Sequence, residues 1–212
     1  MRATVQGVHV VDHPVLAEAM TVLRAVDTPR AEFRTAMSVA AAMLAYEATR
    51  GLPQREIEVL TPLETTTGKV VSSPIMVVAV LRAGLGMVEG FLRLIPDAAV
   101  GHLGMRRNEQ TLRPDGYYES LPEGVAESVV FVVDPMLATG GSASAALTRL
   151  REVGARDLRL VALLAAPEGL EAVRSIEPDI PITVAALDRE LNERGFIQPG
   201  LGDAGDRIFG TE

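Results

Sequence analysis

Residues 129–142 run Val129-Val130-Phe131-Val132-Val133-Asp134-Pro135-Met136-Leu137-Ala138-Thr139-Gly140-Gly141-Ser142, and their order decides the fold. Five apolar, mostly β-branched residues predict a strand buried on both faces, ended by Pro135 directly after a carboxylate at its carboxyl end. Thr139, Gly140 and Gly141 permit a tight turn with backbone N–H groups pointing inward. Ser142 to Val153, SASAALTRLREV, then reads as a helix. Backbone donors, a hydroxyl and the positive end of a helix converge where an anion would sit, and Asp134 is placed for the hydroxyls of an attached sugar. Glycines at a strand-to-helix turn can serve geometry alone. The complete order of apolar strand, terminal aspartate, short loop and Thr-Gly-Gly-Ser is what points to a phosphorylated ligand.

Working outward, the chain alternates strands with helices. Ile75 to Leu81, Ala98 to Leu103, Val129 to Val133, Leu158 to Leu164 and Ile182 to Leu187 are apolar runs of strand length. Helix-like segments around Leu85 to Ile95, Ser142 to Val153 and Glu168 to Ile176 separate most of them. The expected class is α/β, a mostly parallel doubly wound sheet covered on both faces, with ligands at the carboxyl ends of the strands. At 212 residues the expectation is one domain, residues 1–212.

Composition narrows the classes. The net charge of -8 does not suit a sequence-independent nucleic-acid surface, so an anionic ligand must be held locally. No apolar run approaches the roughly 20 residues that cross a membrane. Absent cysteine excludes disulfides and thiolate metal sites, and with no apolar signal core at the start it points to the cytoplasm. Lys69 is the only lysine, so arginines supply the cationic forks that phosphates need.

Residues 8–50 read as a helical preface. Asp12 can cap a helix carrying Leu16, Met20, Leu23 and Val26. Thr28-Pro29 restarts one with Phe33, Met37, Ala40, Leu44 and Ala48 inward, and Gly51 stops it. Tyr46 is expected at the core edge, and His9 and His13 lack a third ligand for a metal. Ile57 to Val71, threonine-rich and broken at Thr67-Gly68, reads as a hairpin arm. It either caps an edge or reaches a second subunit, and the second reading is favoured.

Two more strand ends face the same edge. Leu81-Arg82-Ala83-Gly84 places Arg82 beside a glycine turn through which backbone can approach a diphosphate. After Leu103, the polar stretch of about 104–124 is too long for an ordinary connection and reads as a lid over the reacting centre, with room for a hairpin. Its Arg106, Arg107 and Arg113 either meet a leaving diphosphate or are solvated loop charge, and Tyr117 and Tyr118 pack at the base. The last segment, about 191–212, carries five glycines between Gly195 and Gly210, which disfavour a regular helix or strand. Ile197, Leu201, Ile208 and Phe209 should pin it to the core. An exposed main chain there can answer the acceptor, donor, acceptor edge of a flat ring such as uracil, whereas cytosine would leave backbone groups unpaired.

Three motifs carry a family resemblance: VLRAGLGM at 80–87, VVDPMLATGGS at 132–142 and GFIQPGLGDAGDRIFGT at 195–211, with support from MRRNEQTL at 105–112. The chain resembles the uracil phosphoribosyltransferases from about residue 10 onward. The resemblance implies transfer of the 5-phosphoribosyl group from 5-phosphoribosyl 1-diphosphate (PRPP) to N1 of uracil, giving UMP in pyrimidine salvage. It assigns Asp134, Pro135, Met136, Leu137, Ala138, Thr139, Gly140, Gly141 and Ser142 to the ribose and 5-phosphate. Arg82 and Arg107 are assigned to the diphosphate, and Ile197, Gly202, Asp203 and Ala204 to uracil, Asp203 also touching PRPP. Arg107, Asp134 and Asp203 are the implied catalytic residues. Where many phosphoribosyltransferases have a second acid, Pro135 stands here, so Mg²⁺ is expected to be held mainly by PRPP and water, with no protein ligand. Arg106 stands where many relatives carry tyrosine. GTP activation and a homodimer or homotetramer are further implications. The competing functions are a catalytically silent nucleotide sensor on the same fold and a transferase for another base.

Overall fold

The computed structural model describes residues 7–107 and 114–211. In chain order its elements are β1 (Val8–Val10), α1 (Pro14–Arg24), α2 (Arg30–Ala48), β2 (Gln54–Leu60), β3 (Thr65–Val71), β4 (Ile75–Leu81), α3 (Leu85–Leu94), β5 (Ala99–Arg107) and β6 (Pro114–Ser120). They continue as β7 (Val129–Val133), β8 (Met136–Leu137), α4 (Gly141–Glu152), β9 (Asp157–Ala165), α5 (Pro167–Ile176), β10 (Ile182–Leu187), β11 (Glu190–Leu191), β12 (Ile197–Gln198) and α6 (Ala204–Phe209).

The main sheet has the order β1-β10-β9-β7-β4-β5-β6, with β8 also on β9. Every pairing is parallel except β5 with β6. The alternation of a strand sends Val129, Phe131 and Val133 to one face and Val130 and Val132 to the other. The first set joins Leu16, Leu23, Phe33, Met37, Met87 and Phe91 from α1, α2 and α3. The second joins Ala146, Leu147, Leu150, Leu170 and Val173 from α4 and α5. Both faces are thus dry, which is why β4 and β7 are continuous apolar runs and why the doubly wound expectation holds.

Several local expectations need correction. Pro14 at the first helical position moves the cap of α1 from Asp12 to His13, whose Nδ1 accepts from Val15 N at 3.2 Å. That helix ends at Arg24, so Val26 lies outside it, 94% exposed. Helix α2 ends at Ala48, ahead of Gly51, because the Thr49 hydroxyl donates to the carbonyls of Ala45 and Tyr46 at 2.7 and 3.1 Å. Tyr46 is exposed, with the Arg50 guanidinium over its ring at 5.4 Å. The arm is a separate two-stranded sheet of β2 and β3. Its turn lies at Thr61 to Glu64, where the Thr61 hydroxyl accepts from Leu63 N and Glu64 N, and Gly68 is a mid-strand residue opposite Ile57. The tail is more regular than expected: β11 and β12 pair, and residues 204–209 form a helix despite Gly205. Ile197, Leu201 and Ile208 are buried, while Phe209 is exposed.

Candidate functional site

The carboxyl ends of β4, β5, β7 and β10 all open on one edge, because those strands are parallel neighbours or share β9. At the end of β7, Asp134 retains 9% exposure. Its Oδ1 accepts from Met136 N at 3.3 Å. Burial pushes its carboxyl up to about 7, against the weaker downward pull of that bond. A carboxyl this dry is poised between its two protonation states near neutrality.

Residues 134 and 136–143 line a concavity of 130 Å³. Gly140 takes φ of +76° and caps α4 without a side chain. This conformation suits glycine and leaves the first N–H groups of α4 facing the concavity. Thr139 Oγ1 accepts from Gly141 N at 3.5 Å. The loop has no slack behind it. A Cβ at Gly169 of α5 would lie 2.5 Å from the carbonyl oxygens of both Leu137 and Ala138, so α5 is the floor on which the loop rests. Sequence reasoning missed Gly169, because nothing in a helical PEGLEAV pattern separates a packing glycine from a weak helix residue.

The other strand ends converge on this loop. A Cβ at Gly84 would meet Val133 O at 2.5 Å, so the turn carrying Arg82 lies directly against the end of β7. Arg82 Nη2 stands 3.5 Å from Asp206 Oδ1 of α6. Helix α6 also lies against that turn, since a Cβ on Gly205 would be 3.8 Å from the Ala83 Cβ. Asp203 caps α6, its Oδ1 accepting from Asp206 N at 2.9 Å. The β11–β12 turn approaches the loop from the other side, with Gly195 beside the Thr139 methyl and Leu191 N donating to Glu168 Oε1 at 3.0 Å. Arg82, residues 134–142 and the segment 195–206 are therefore neighbours at one edge of the sheet.

Strands β5 and β6 pair as the anticipated hairpin, with Arg107 opposite Pro114. Residues 108–113, including Arg113 and most of the MRRNEQTL motif, lie outside the described residues, as do the side chains of Arg106 and Arg107. Tyr117 lies over Gly104 of β5, where a Cβ would be 2.7 Å from its ring.

Two further residues organise the tail. Asp188 follows β10 as Asp134 follows β7, and its carboxylate takes two bonds from Arg24, at 2.6 and 2.8 Å, and one from Gly200 N at 2.9 Å. The sequence did hold a signal for Asp188, an aspartate directly after an apolar run, in AALD as in VVD. Among the described residues no group of three or more His, Asp or Glu side chains could hold a metal ion.

Comparison with known proteins agrees with this geometry. The family described as uracil phosphoribosyltransferase matches residues 10–211. Proteins named uracil phosphoribosyltransferase are 54% identical over 206 residues in Salinibacter ruber, covering 97% of this chain and 98% of that one. In Thermoanaerobacter sp. the identity is 51% over 208 residues, covering 98% and 99%. The solved AQ2163 protein from Aquifex aeolicus superposes with a TM-score of 0.91 at 36% identity, covering 97% of this chain and 99% of that one. A hypoxanthine-guanine phosphoribosyltransferase from Bacillus anthracis, 14% identical, shares the fold with a TM-score of 0.51 over 75% of this chain and 80% of its own. With nearly every residue from 10 to 211 inside the family match, the chain belongs to the uracil phosphoribosyltransferase family.

Proposed function

We propose that this chain breaks the anomeric C1–O bond of PRPP and forms a bond from C1 to N1 of uracil, yielding UMP and diphosphate, with the N1 proton passing to solvent or the departing diphosphate. The observation that carries the reading is that the 134–142 loop, with its concavity, lies beside both the Arg82 turn and the glycine-rich tail at one edge of the sheet. The N–H groups of residues 139–142 and the start of α4 hold the 5-phosphate. Asp134 holds the ribose hydroxyls, which fixes C1 in line with the incoming base. As the C1–O bond lengthens, negative charge grows on the diphosphate, where Arg82 and Arg107 are assigned to stabilise it.

The tail supplies the acceptor. Ile197, Gly202, Asp203 and Ala204 present backbone groups and one carboxylate to uracil, Asp203 also touching PRPP. Donors to both uracil oxygens favour its N1 anion and remove the need for a strong base. Cytosine offers the wrong edge, and each backbone group it leaves unpaired costs about 1–3 kcal/mol.

The residues present do not fit a protein-ligated magnesium ion. Pro135 follows Asp134 where a second carboxylate would be needed, and Asp134 itself is dry. Mg²⁺ would come held by diphosphate oxygens and water, neutralising charge on the leaving group. The whole chain acts as one domain in this reading, in the cytoplasm, and the arm of β2 and β3 reaches a second subunit in a homodimer or homotetramer. Leu60 and Leu63 at its tip are 81% and 95% exposed, which supports an arm made to be covered. GTP activation stays with the family resemblance; sedimentation with and without GTP tests both it and the assembly.

The deciding assay incubates the protein with PRPP, magnesium and each nucleobase in turn. UMP from uracil, with no product from the other bases, is expected. Product with another base only would identify a transferase of different specificity, and nucleotide binding without product a silent sensor; either refutes the proposal.

A further inference from the structure

The tail can discriminate bases by its main chain only if that main chain cannot rotate. A peptide plane that flips exchanges its N–H for its C=O, and in a glycine-rich segment such flips meet little steric resistance. The order of donors and acceptors that answers uracil would then interconvert with orders that answer cytosine. Gly200 has φ of +64°, and Gly202 has +79°. Something outside the segment must hold it.

Three side chains do so, on three successive peptide planes. Asp188 Oδ2 accepts from Gly200 N at 2.9 Å and fixes the first. Arg24 Nη1 donates to Gly200 O at 2.8 Å and fixes the second. Arg207 Nη1 donates to Leu201 O at 2.9 Å and fixes the third. The Asp188 side chain is 6% exposed and is gripped by both terminal nitrogens of Arg24, so each charge is paired and the geometry is bidentate. Arg207 reaches onward to Leu23 O and Ala25 O, its guanidinium 4.3 Å from the centre of the Phe33 ring. Both arginines tie the tail to the carboxyl end of α1, an element with no side chain assigned to either substrate.

Resting on the transferase reading above, we infer that Arg24, acting through Asp188 and Gly200 together with Arg207, is the positioning residue that locks the peptide planes before Gly202 and thereby sets the preference for uracil over cytosine. It touches neither substrate. Its loss frees the Gly200 peptides while the 134–142 loop keeps its support from α5 and Asp203 keeps its bond from Asp206 N, so the effect falls on the base and spares PRPP.

The test uses Arg24→Met, Arg24→Lys and Asp188→Asn in the full chain, with thermal melts to confirm folding. Steady-state kinetics give KM for uracil and for PRPP, and inhibition by cytosine gives its Ki. For Arg24→Met the expected result is at least a fivefold rise in KM for uracil, KM for PRPP within twofold, and at least a tenfold fall in the ratio of cytosine Ki to uracil KM. Arg24→Lys, which keeps the charge but replaces the planar two-nitrogen fork with a single nitrogen, should fall between wild type and Arg24→Met. It carries the test if the methionine variant does not fold. Unchanged selectivity in a folded variant, or parallel rises in both KM values, overturns the inference alone. A wild-type chain inert with uracil and PRPP overturns the transferase reading as well.

Discussion

Replacing Gly169 with alanine sets two effects of known sign against each other. Residue 169 lies in the first turn of α5, and alanine there favours the helix by about 1 kcal/mol. The new Cβ, however, would stand 2.5 Å from both Leu137 O and Ala138 O, whereas carbon-to-oxygen approaches relax only near ~3.3 Å. Helix or loop must therefore move by about 0.8 Å, and overpacking of this kind costs about 1–3 kcal/mol. The net destabilisation is roughly 0–2 kcal/mol, and Tm falls by at most about 8 °C in a chain of this size. The loop is the weaker partner, since α5 is held into the core by Leu170 and Val173. A displacement approaching 1 Å in groups that position a reactant costs up to about 100-fold in rate. In initial-rate assays varying PRPP at saturating uracil, kcat/KM for PRPP should fall about 10- to 100-fold while KM for uracil changes little. A Tm above wild type with unchanged kcat/KM would show that the gap yields without cost, and would refute the view of α5 as a fixed floor.

Asp203→Ala should lower kcat by about 100-fold or more and loosen α6 by about 1 kcal/mol through loss of its cap; Asp203→Asn, which can still cap, separates the two, and near-normal turnover in both would remove Asp203 from the site. The Asp134 carboxyl is raised from 3.8 to about 7, so between those values the native state holds a proton that the unfolded chain has released. Its contribution to stability is therefore greatest at acid pH and is lost as pH rises through that window. Urea titrations of the ligand-free protein should show a steeper decline from pH 5 to 8 for wild type than for Asp134→Asn; parallel curves would contradict a dry carboxyl. Arg207→Met deletes bonds to Leu23 O, Ala25 O and Leu201 O and should cost roughly 2–4 kcal/mol in urea unfolding, a loss under ~0.5 kcal/mol marking those contacts as incidental.

The sheet was legible because its central strands are dry on both faces, and a dry strand must be an uninterrupted apolar run. Strands β4, β7 and β10 begin and end where their apolar residues do. Strand β5 runs four residues past Leu103 because antiparallel pairing with β6 extends it, and a ladder at an edge asks for hydrogen bonds rather than apolar side chains. Two- and three-residue strands such as β1, β8, β11 and β12 are too short to show a period and went unread. The arm's turn was misplaced because Gly68 is a stronger textual mark than the Thr61 hydroxyl that makes the turn. At the candidate site, Asp134 to Ser142 and Arg82 stand out in the sequence because they follow strands, where chemistry and chain punctuation coincide. Arg24 could not. It closes an amphipathic helix like any terminal arginine, and its partner is 164 residues away.

That separation bears on how the protein comes into being. At about 5–20 residues per second, Arg24 is synthesised roughly 8–33 s before Asp188, and β1 waits about as long for β10. Helices α1 and α2 can pair with each other meanwhile, but the side of α1 that meets Asp188, Gly200 and Arg207 remains wet. Helix α6 closes over α1 across that whole interval. A nascent chain halted before residue 207 would leave the carbonyls of Leu23 and Ala25 without the guanidinium that ties them to Leu201.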